Sequence, residues 1–464
     1  MLFVEFRFLS FFVVAWGLYW ALRGNGPRKL WLLVCSYWFY AAWDWRFLGL
    51  IVASTLVDYV VGLRLDRPGG RRRFWLGLSL TVNLGMLAVF KYLDFFVESA
   101  AALLESVGFG ADLDVLGLVL PVGISFYTFQ TLSYTLDVHA GRMRAHRSLL
   151  DVALFVAFFP QLVAGPIVRA REFLPQLASP RRFAAVDVRG ALALFLIGFV
   201  KKVCISDNLA VTVDAFYDQP EAFDALAAWT ALLFYSAQIY CDFSGYSDMA
   251  IATAALFGFR LCLNFHHPYL SGNIAEFWRR WHISLSSWLR DYLFISLGGS
   301  RGRLGRTLFN LFLTFALCGL WHGAAWHFVL WGVVHGIAVG VRRIWQGAVG
   351  EESAPARLMG VLGVPLTFLF ATLAWALFRT DVDGAMTTWG VAFGLVEGGA
   401  RGFGLSGLAL MAALAVAHVA AYHRAGDLLR RLPTWAFAVF VGLSFAVALA
   451  FVPADARPFI YFQF

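Results

Sequence analysis

Apolar runs of roughly 15–25 residues recur along the chain, and short polar turns of alternating charge separate them, the length a helix needs to cross a ~30 Å hydrocarbon core. The first run covers residues 6–22. Because similar runs follow, it reads as a membrane helix and not as a cleaved leader. Residues 31–40 and 47–63 read as a helical pair turning at Trp43, Asp44 and Trp45. Residues 74–90 cross toward an acidic stretch, 94–114, and residues 121–137 return. The turns holding Arg23, Arg28 and Lys29, then Arg64, Arg67, Arg71, Arg72 and Arg73, are basic and read as cytoplasmic. Stretches 94–114 and 207–224 each hold five acids and no Lys or Arg, which puts them outside.

The alternation fails in the middle. Residues 151–164 are apolar, but Pro160 and Gly165-Pro166 break the helix and arginines follow. Non-helical backbone at membrane depth needs protein or a cavity around it, so a re-entrant hairpin is expected. Residues 191–200 run outward, and Lys201 and Lys202 fit that path only by snorkelling. Residues 225–259 exceed one simple span and contain Asp242 and Asp248 around Gly245. Those carboxylates either face a cavity or an internal partner, or they mark a break in the helix near the surface. Runs at 361–378, 405–422 and 435–452 follow, with Asp381 and Asp383 outside and Arg424, Arg430 and Arg431 inside. The C-terminal PFIYFQF falls at the outer interface. The pattern predicts an all-α polytopic membrane protein, one transmembrane domain over 1–464. Roughly ten to twelve spans are expected, with re-entrant and interfacial helices besides. No internal repeat is visible, which disfavours an inverted-repeat transporter.

Composition agrees. Of 464 residues 60% are hydrophobic and 14% charged, with mean hydropathy +0.70; soluble domains hold about 45–50% apolar and about a quarter charged residues. The net charge of +8 collects in short loops, so it records topology and not affinity for nucleic acid. Five scattered cysteines show no paired spacing, which argues against a disulfide framework or a zinc site.

Candidate chemistry concentrates at residues 264–336, where seven arginines from Arg260 to Arg306 face two acids, Glu276 and Asp291. Asn273 and Glu276 form a helix-start signal. The following residues place Trp278, Trp281, Leu285, Leu289, Tyr292 and Leu293 on one stripe of a single amphipathic helix, with arginines opposite. His282 lies in the apolar stripe, as a packing residue would. His322 follows an apolar helix, 307–320, whose ~21 Å rise falls short of crossing. That leaves His322 at depth beside Gly323-Ala324-Ala325, a functional candidate by default, with an imidazole suited to general-base work at neutral pH. A structural buried histidine is the competing reading. His335 suits packing better, while His327 lies five residues from His322, poor spacing for one helix face, and no carboxylate nearby completes a metal site. Cys318, one turn before His322, is placed to carry an acyl thioester, against the usual inertness of buried cysteines. The arginines mark the cytoplasmic side and also offer forks that match phosphate oxygens.

QIYCDFSGYSDMAIATAALFGF, LNFHHPYLSGNIAEFWRRWHISLSSWLRDY and GLWHGAAWHFVLWGVVHG resemble the membrane-bound O-acyltransferase family, its bacterial alginate O-acetyltransferase-type members above all. PVGISFYTFQTLSYTLDV, FFPQLVAGPI and PFIYFQF extend the resemblance along the chain. It implies a ring of helices around a thinned centre, with His322 catalytic and His282 its polar partner. It also implies acyl transfer, of acetyl from acetyl-CoA or another acyl donor, from the cytoplasmic side of a bacterial inner membrane to a hydroxyl outside. Arg279, Arg280 and Arg290, with Trp281 and Trp321, are the expected donor contacts. The acceptor side implies a polysaccharide and a separate extracytoplasmic partner of esterase-like (SGNH) type; no bound cofactor, metal or nucleic acid is implied. The rival expectation is a transporter or flippase for an envelope precursor, moving substrate without acyl transfer.

Overall fold

Helices follow one another along nearly all of the computed structural model, and no strand occurs among the described residues, Phe223 and Arg401 forming an isolated bridge. The structure describes residues 1–110, 115–163, 165–349, 354–423, 429, 431–452, 457 and 459–460. Asp112, Asp114, Arg424, Arg430 and residues 461–464 of the C-terminal motif lie outside these. Five segments are long and apolar enough to cross a membrane: Asn25–Leu65, Arg72–Ser106, Leu304–His322, Trp326–Ala348 and Leu358–Arg379. Phe6–Ala21, Ser406–Tyr422 and Thr434–Leu449 are shorter apolar helices. The protein is a multi-pass, all-α membrane protein.

The described chain gathers into two units. One holds Met1–Val188 with Thr253–Cys262, the other Arg189–Ala252 with Leu263–Phe464. In the first, Asn25–Asp44 ends where expected: the Asp44 carboxylate accepts the Arg46 N–H and starts a tight turn before Leu48–Leu65. The acidic stretch after residue 94 is no loop at its start, since helix continues through Leu93–Ser106. Inside this unit the buried carboxylate of Asp58 accepts from Ser79 Oγ at 2.7 Å and Asn83 Nδ2 at 3.0 Å, the partners a buried charge requires. The expected break near Pro160 is present. Leu149–Ala157 stops at Phe158 and a short turn Phe159–Leu162 follows; residues from Asp151 through Leu162 are buried, as non-helical backbone at depth must be.

The second unit holds the candidate residues His282, His322 and Cys318. The 32-residue helix Ala225–Leu256, which lies in this unit as far as Ala252, runs unbroken through Gly245, so of the two readings of Asp242 and Asp248 the internal one holds. Lys201 Nζ stands 2.7 Å from Asp248, and Lys202 Nζ 2.7 Å from Asp242 and 2.8 Å from Asp207. The lysines therefore have partners, which corrects the snorkelling account. Gly198 and Gly245 make this possible: a Cβ on either would press into the other's carbonyl oxygen, so only glycines let the two backbones come this close.

Small residues set the next helix pair too. Leu304–His322 and Trp326–Ala348 lie against each other with Gly319 on the Phe328 carbonyl and Gly332 on that of Phe315. The first of these corrects the expected length. It has 19 residues, not 14, and rises about 28 Å. Length alone therefore does not strand His322 partway across a membrane; what defines its position is that it is the helix's last residue.

Candidate active site

The amphipathic stretch after Ser271 begins as expected. Asn273 Oδ1 accepts the Glu276 N–H at 3.0 Å, and Glu276 Oε2 accepts from Gly272 N at 2.9 Å. It is not one helix, however. Ile274–Arg280 ends, His282 adopts φ 43°, ψ 54°, and Ile283–Trp288 starts anew before a wider turn, Leu289–Phe294. The physical reason is a neighbouring strand-like segment. Asn264 O accepts from Ile283 N and Arg280 O accepts from His266 N, both at 2.9 Å, so backbone groups that a continuous helix would use internally are bonded outward. The expected stripe survives the break at Trp278, Trp281, Leu285 and Leu289, all buried, but Tyr292 and Leu293 are half-buried.

The left-handed turn turns the His282 ring inward, and the side chain is fully buried. Its Nδ1 lies 3.1 Å from Asn264 Oδ1, which also accepts from Ser284 Oγ at 2.9 Å, while Asn264 Nδ2 donates to Ser247 Oγ at 3.0 Å. Phe243 meets the ring edge-on at 4.6 Å. His282 sits between short helices and outside the spanning segments, and burial pushes its pKa down to about 3. It is a neutral imidazole at physiological pH.

His322 is 2% exposed. Aromatic rings surround it: Trp321 at 5.0 Å, Trp331 at 5.1 Å and Phe378 at 5.3 Å. Trp321 also stands 6.0 Å from His282, so one indole is the shared ring neighbour of both histidines. One turn back along the helix, Cys318 Sγ is 3.9 Å from His322 Nε2.

Cys318 has a second face. With Thr314, Trp278, Ser287, Arg279 and Arg290 it lines a cavity of about 400 Å³. Two of the expected donor contacts are thus on this cavity, Arg279 and Arg290, the latter also paired with Asp291 at 2.7 Å. The other three are elsewhere. Arg280 is engaged by Glu276 at 2.6 Å, Trp281 stacks on Phe277 at 5.6 Å and meets Trp375 at 4.9 Å, and Trp321 sits with the histidines. His335, expected to pack, accepts from Trp278 Nε1 at 3.2 Å, and His327 Nδ1 lies 2.8 Å from the Leu377 carbonyl. Asn264 and Ser284 were not singled out in the sequence, and Trp278 only as a member of the apolar stripe. Asn264 opens the NFHH stretch, but nothing in its spacing shows that it folds back 18 residues onto His282.

The sequence model of the membrane-bound O-acyltransferase family matches residues 139–375, which takes in both histidines, Cys318 and the arginines of this site. A probable alginate O-acetylase of Pseudomonas aeruginosa is 45% identical over 382 residues, 81% of this chain and 71% of that protein. A peptidoglycan O-acetyltransferase of Helicobacter pylori is 39% identical over 379 residues, covering 76% and 71%. A teichoic acid D-alanyltransferase of Bacillus subtilis is 27% identical over 275 residues, 56% of this chain and 69% of that protein.

Proposed function

The chain belongs to the membrane-bound O-acyltransferase family and is an acyltransferase, and on that premise we propose that it passes an acetyl group from a cytoplasmic thioester donor to a hydroxyl of an extracytoplasmic polysaccharide. The donor is acetyl-CoA, the membrane is the bacterial inner membrane, and a separate esterase-like protein relays the group to the polymer. The names of the alginate and peptidoglycan relatives support the polysaccharide.

One observation carries the reading. Cys318 lines the cavity that bears Arg279 and Arg290, and its sulfur is 3.9 Å from His322 Nε2. A donor whose phosphates meet the arginines would bring its thioester toward the imidazole. His322 takes the proton of the acceptor hydroxyl, the oxygen attacks the thioester carbonyl, and the C–S bond breaks. The imidazolium then returns the proton to the leaving thiolate. His282, held neutral, polarises the site through the Trp321 contact. Transfer of labelled acetyl from acetyl-CoA by the purified protein tests this. His322→Ala should abolish transfer while the melting temperature holds; full activity in that variant, or transport of a precursor without acetyl transfer, would retire the assignment.

A further inference from the structure

The transfer described above leaves a second cavity without a task. It belongs to the same unit and has a volume of about 350 Å³. Two ion-pair clusters wall it. In one, Lys202 joins Asp207 and Asp242, and the second Asp242 oxygen accepts the Ile460 N–H at 2.8 Å. In the other, Asp214 is held by Arg379 at 2.9 Å and by Arg457. Three carboxylates thus face three cations on the lining, so the walls are charge-balanced and call for no counter-ion.

What remains uncommitted is neutral. Tyr235 and Gln238 line the same cavity and are 0% and 8% exposed, and among the described residues no atom hydrogen-bonds to Tyr235 Oη or Gln238 Oε1. Buried polar atoms without partners are rare and costly, and two on one cavity point to something that supplies the partners. The walls offer guanidinium donors, carboxylate and amide acceptors, and a phenol able to act as both. Dense, mixed and uncharged overall, that set matches the neighbouring hydroxyls of a sugar. It does not match a phosphate or an acyl chain.

The position agrees. Arg379 directly follows Phe378, whose ring stands 5.3 Å from that of His322. The helix Asp207–Asp218, which supplies Asp207 and Asp214, belongs to a stretch with five acids and no Lys or Arg, the mark of the outer side.

We propose that this cavity binds, through its hydroxyls, a sugar unit of the polymer that finally receives the relayed group, with Tyr235 Oη and Gln238 Oε1 as direct hydrogen-bond partners. The identification of that sugar as the acceptor rests on the acyl-transfer reading; its binding does not.

The test is a titration of the full-length protein in lipid nanodiscs with a fluorescently labelled short alginate oligosaccharide, and separately with a short peptidoglycan glycan fragment. Saturable binding of either probe is expected, and which one binds names the source. Tyr235→Phe and Gln238→Leu should each weaken it about tenfold, the worth of one hydrogen bond. The melting temperature of Tyr235→Phe should not fall, because its hydroxyl bonds to no atom of the described residues. Absence of binding by the unaltered protein, unchanged affinity in both variants, or a lowered melting temperature in Tyr235→Phe would overturn the proposal. Labelled-acetyl transfer is read separately: sugar binding without transfer retires the enzyme reading alone, and transfer without sugar binding retires this site alone.

Discussion

Asn264 Oδ1 and His282 Nδ1 are 3.1 Å apart, and that contact fixes which imidazole nitrogen carries the proton. The amide oxygen also receives the Ser284 backbone N–H at 3.3 Å and its Oγ–H at 2.9 Å. A backbone N–H can only donate, so the atom facing it is the oxygen, and Nδ1 must donate to it as well. Nε2 is then the basic nitrogen. Asn264→Leu removes the acceptor and leaves buried donors behind, at a cost of about 1–3 kcal/mol. Transfer should fall at least tenfold. Asn264→Asp keeps an acceptor and should retain more activity. Melting curves and labelled-acetyl turnover check both; equal loss in the two variants would remove the tautomer argument.

The backbone at His282 makes a second expectation. At φ 43°, ψ 54° a side chain with a Cβ costs roughly 1–2 kcal/mol, and glycine escapes it. His282→Gly should therefore melt above His282→Ala, although both lose the imidazole and the transfer activity. An alanine variant as stable as the glycine one would mean that the turn carries no strain.

Lys202 should prove far more sensitive than Lys201. Lys202 is 1% exposed and neutralises Asp207 and Asp242, whereas Lys201 is 24% exposed beside Asp248. Removing one partner of a buried charge pair costs about 3–5 kcal/mol. Lys202→Met should lose that much in thermal or denaturant unfolding, and Lys201→Met clearly less.

The helix pair that carries His322 depends on its glycines. Gly319→Ala would drive a Cβ into the Phe328 carbonyl, while Gly347 has nothing within 4 Å of the position its Cβ would take. Gly319→Ala should cost about 1–3 kcal/mol, the range for overpacking, and lower transfer by displacing His322. Gly347→Ala should be neutral or stabilise by up to about 1 kcal/mol. Identical melting temperatures for the two would show that the pair is not packed through Gly319.

The arginines divide by geometry. Arg279→Ala and Arg290→Ala, on the 400 Å³ cavity, should raise the donor KM, more so at low salt. Arg280→Ala should change it little, since that guanidinium is held by Glu276 and lies over the Tyr422 ring. Steady-state kinetics with acetyl-CoA separates them, and a KM unchanged in all three would leave these arginines as markers of the cytoplasmic side.

The sequence by itself determined the class of protein and the neighbourhood of the chemistry. Long apolar runs have one stable solution in a bilayer, because helices alone satisfy their own backbone. The period of Trp278, Trp281, Leu285 and Leu289 told which face is buried. Tertiary structure decided what periodicity does not carry. The helix expected across His282 breaks, since Asn264 and His266 take its backbone hydrogen bonds. Lys201 and Lys202 find Asp248 and Asp242, 47 and 40 residues away, because Gly198 and Gly245 bring two helices into contact. Arg280, next to the cavity-lining Arg279, is held by Glu276, and Trp281 packs on Phe277 and Trp375: at 100° per residue neighbouring positions face different sides, and which side meets a cavity is set by what packs there. Apolar burial is a property of a segment and is written in its composition. Which polar atom meets which is a property of the packing, and it exists only once the helices touch.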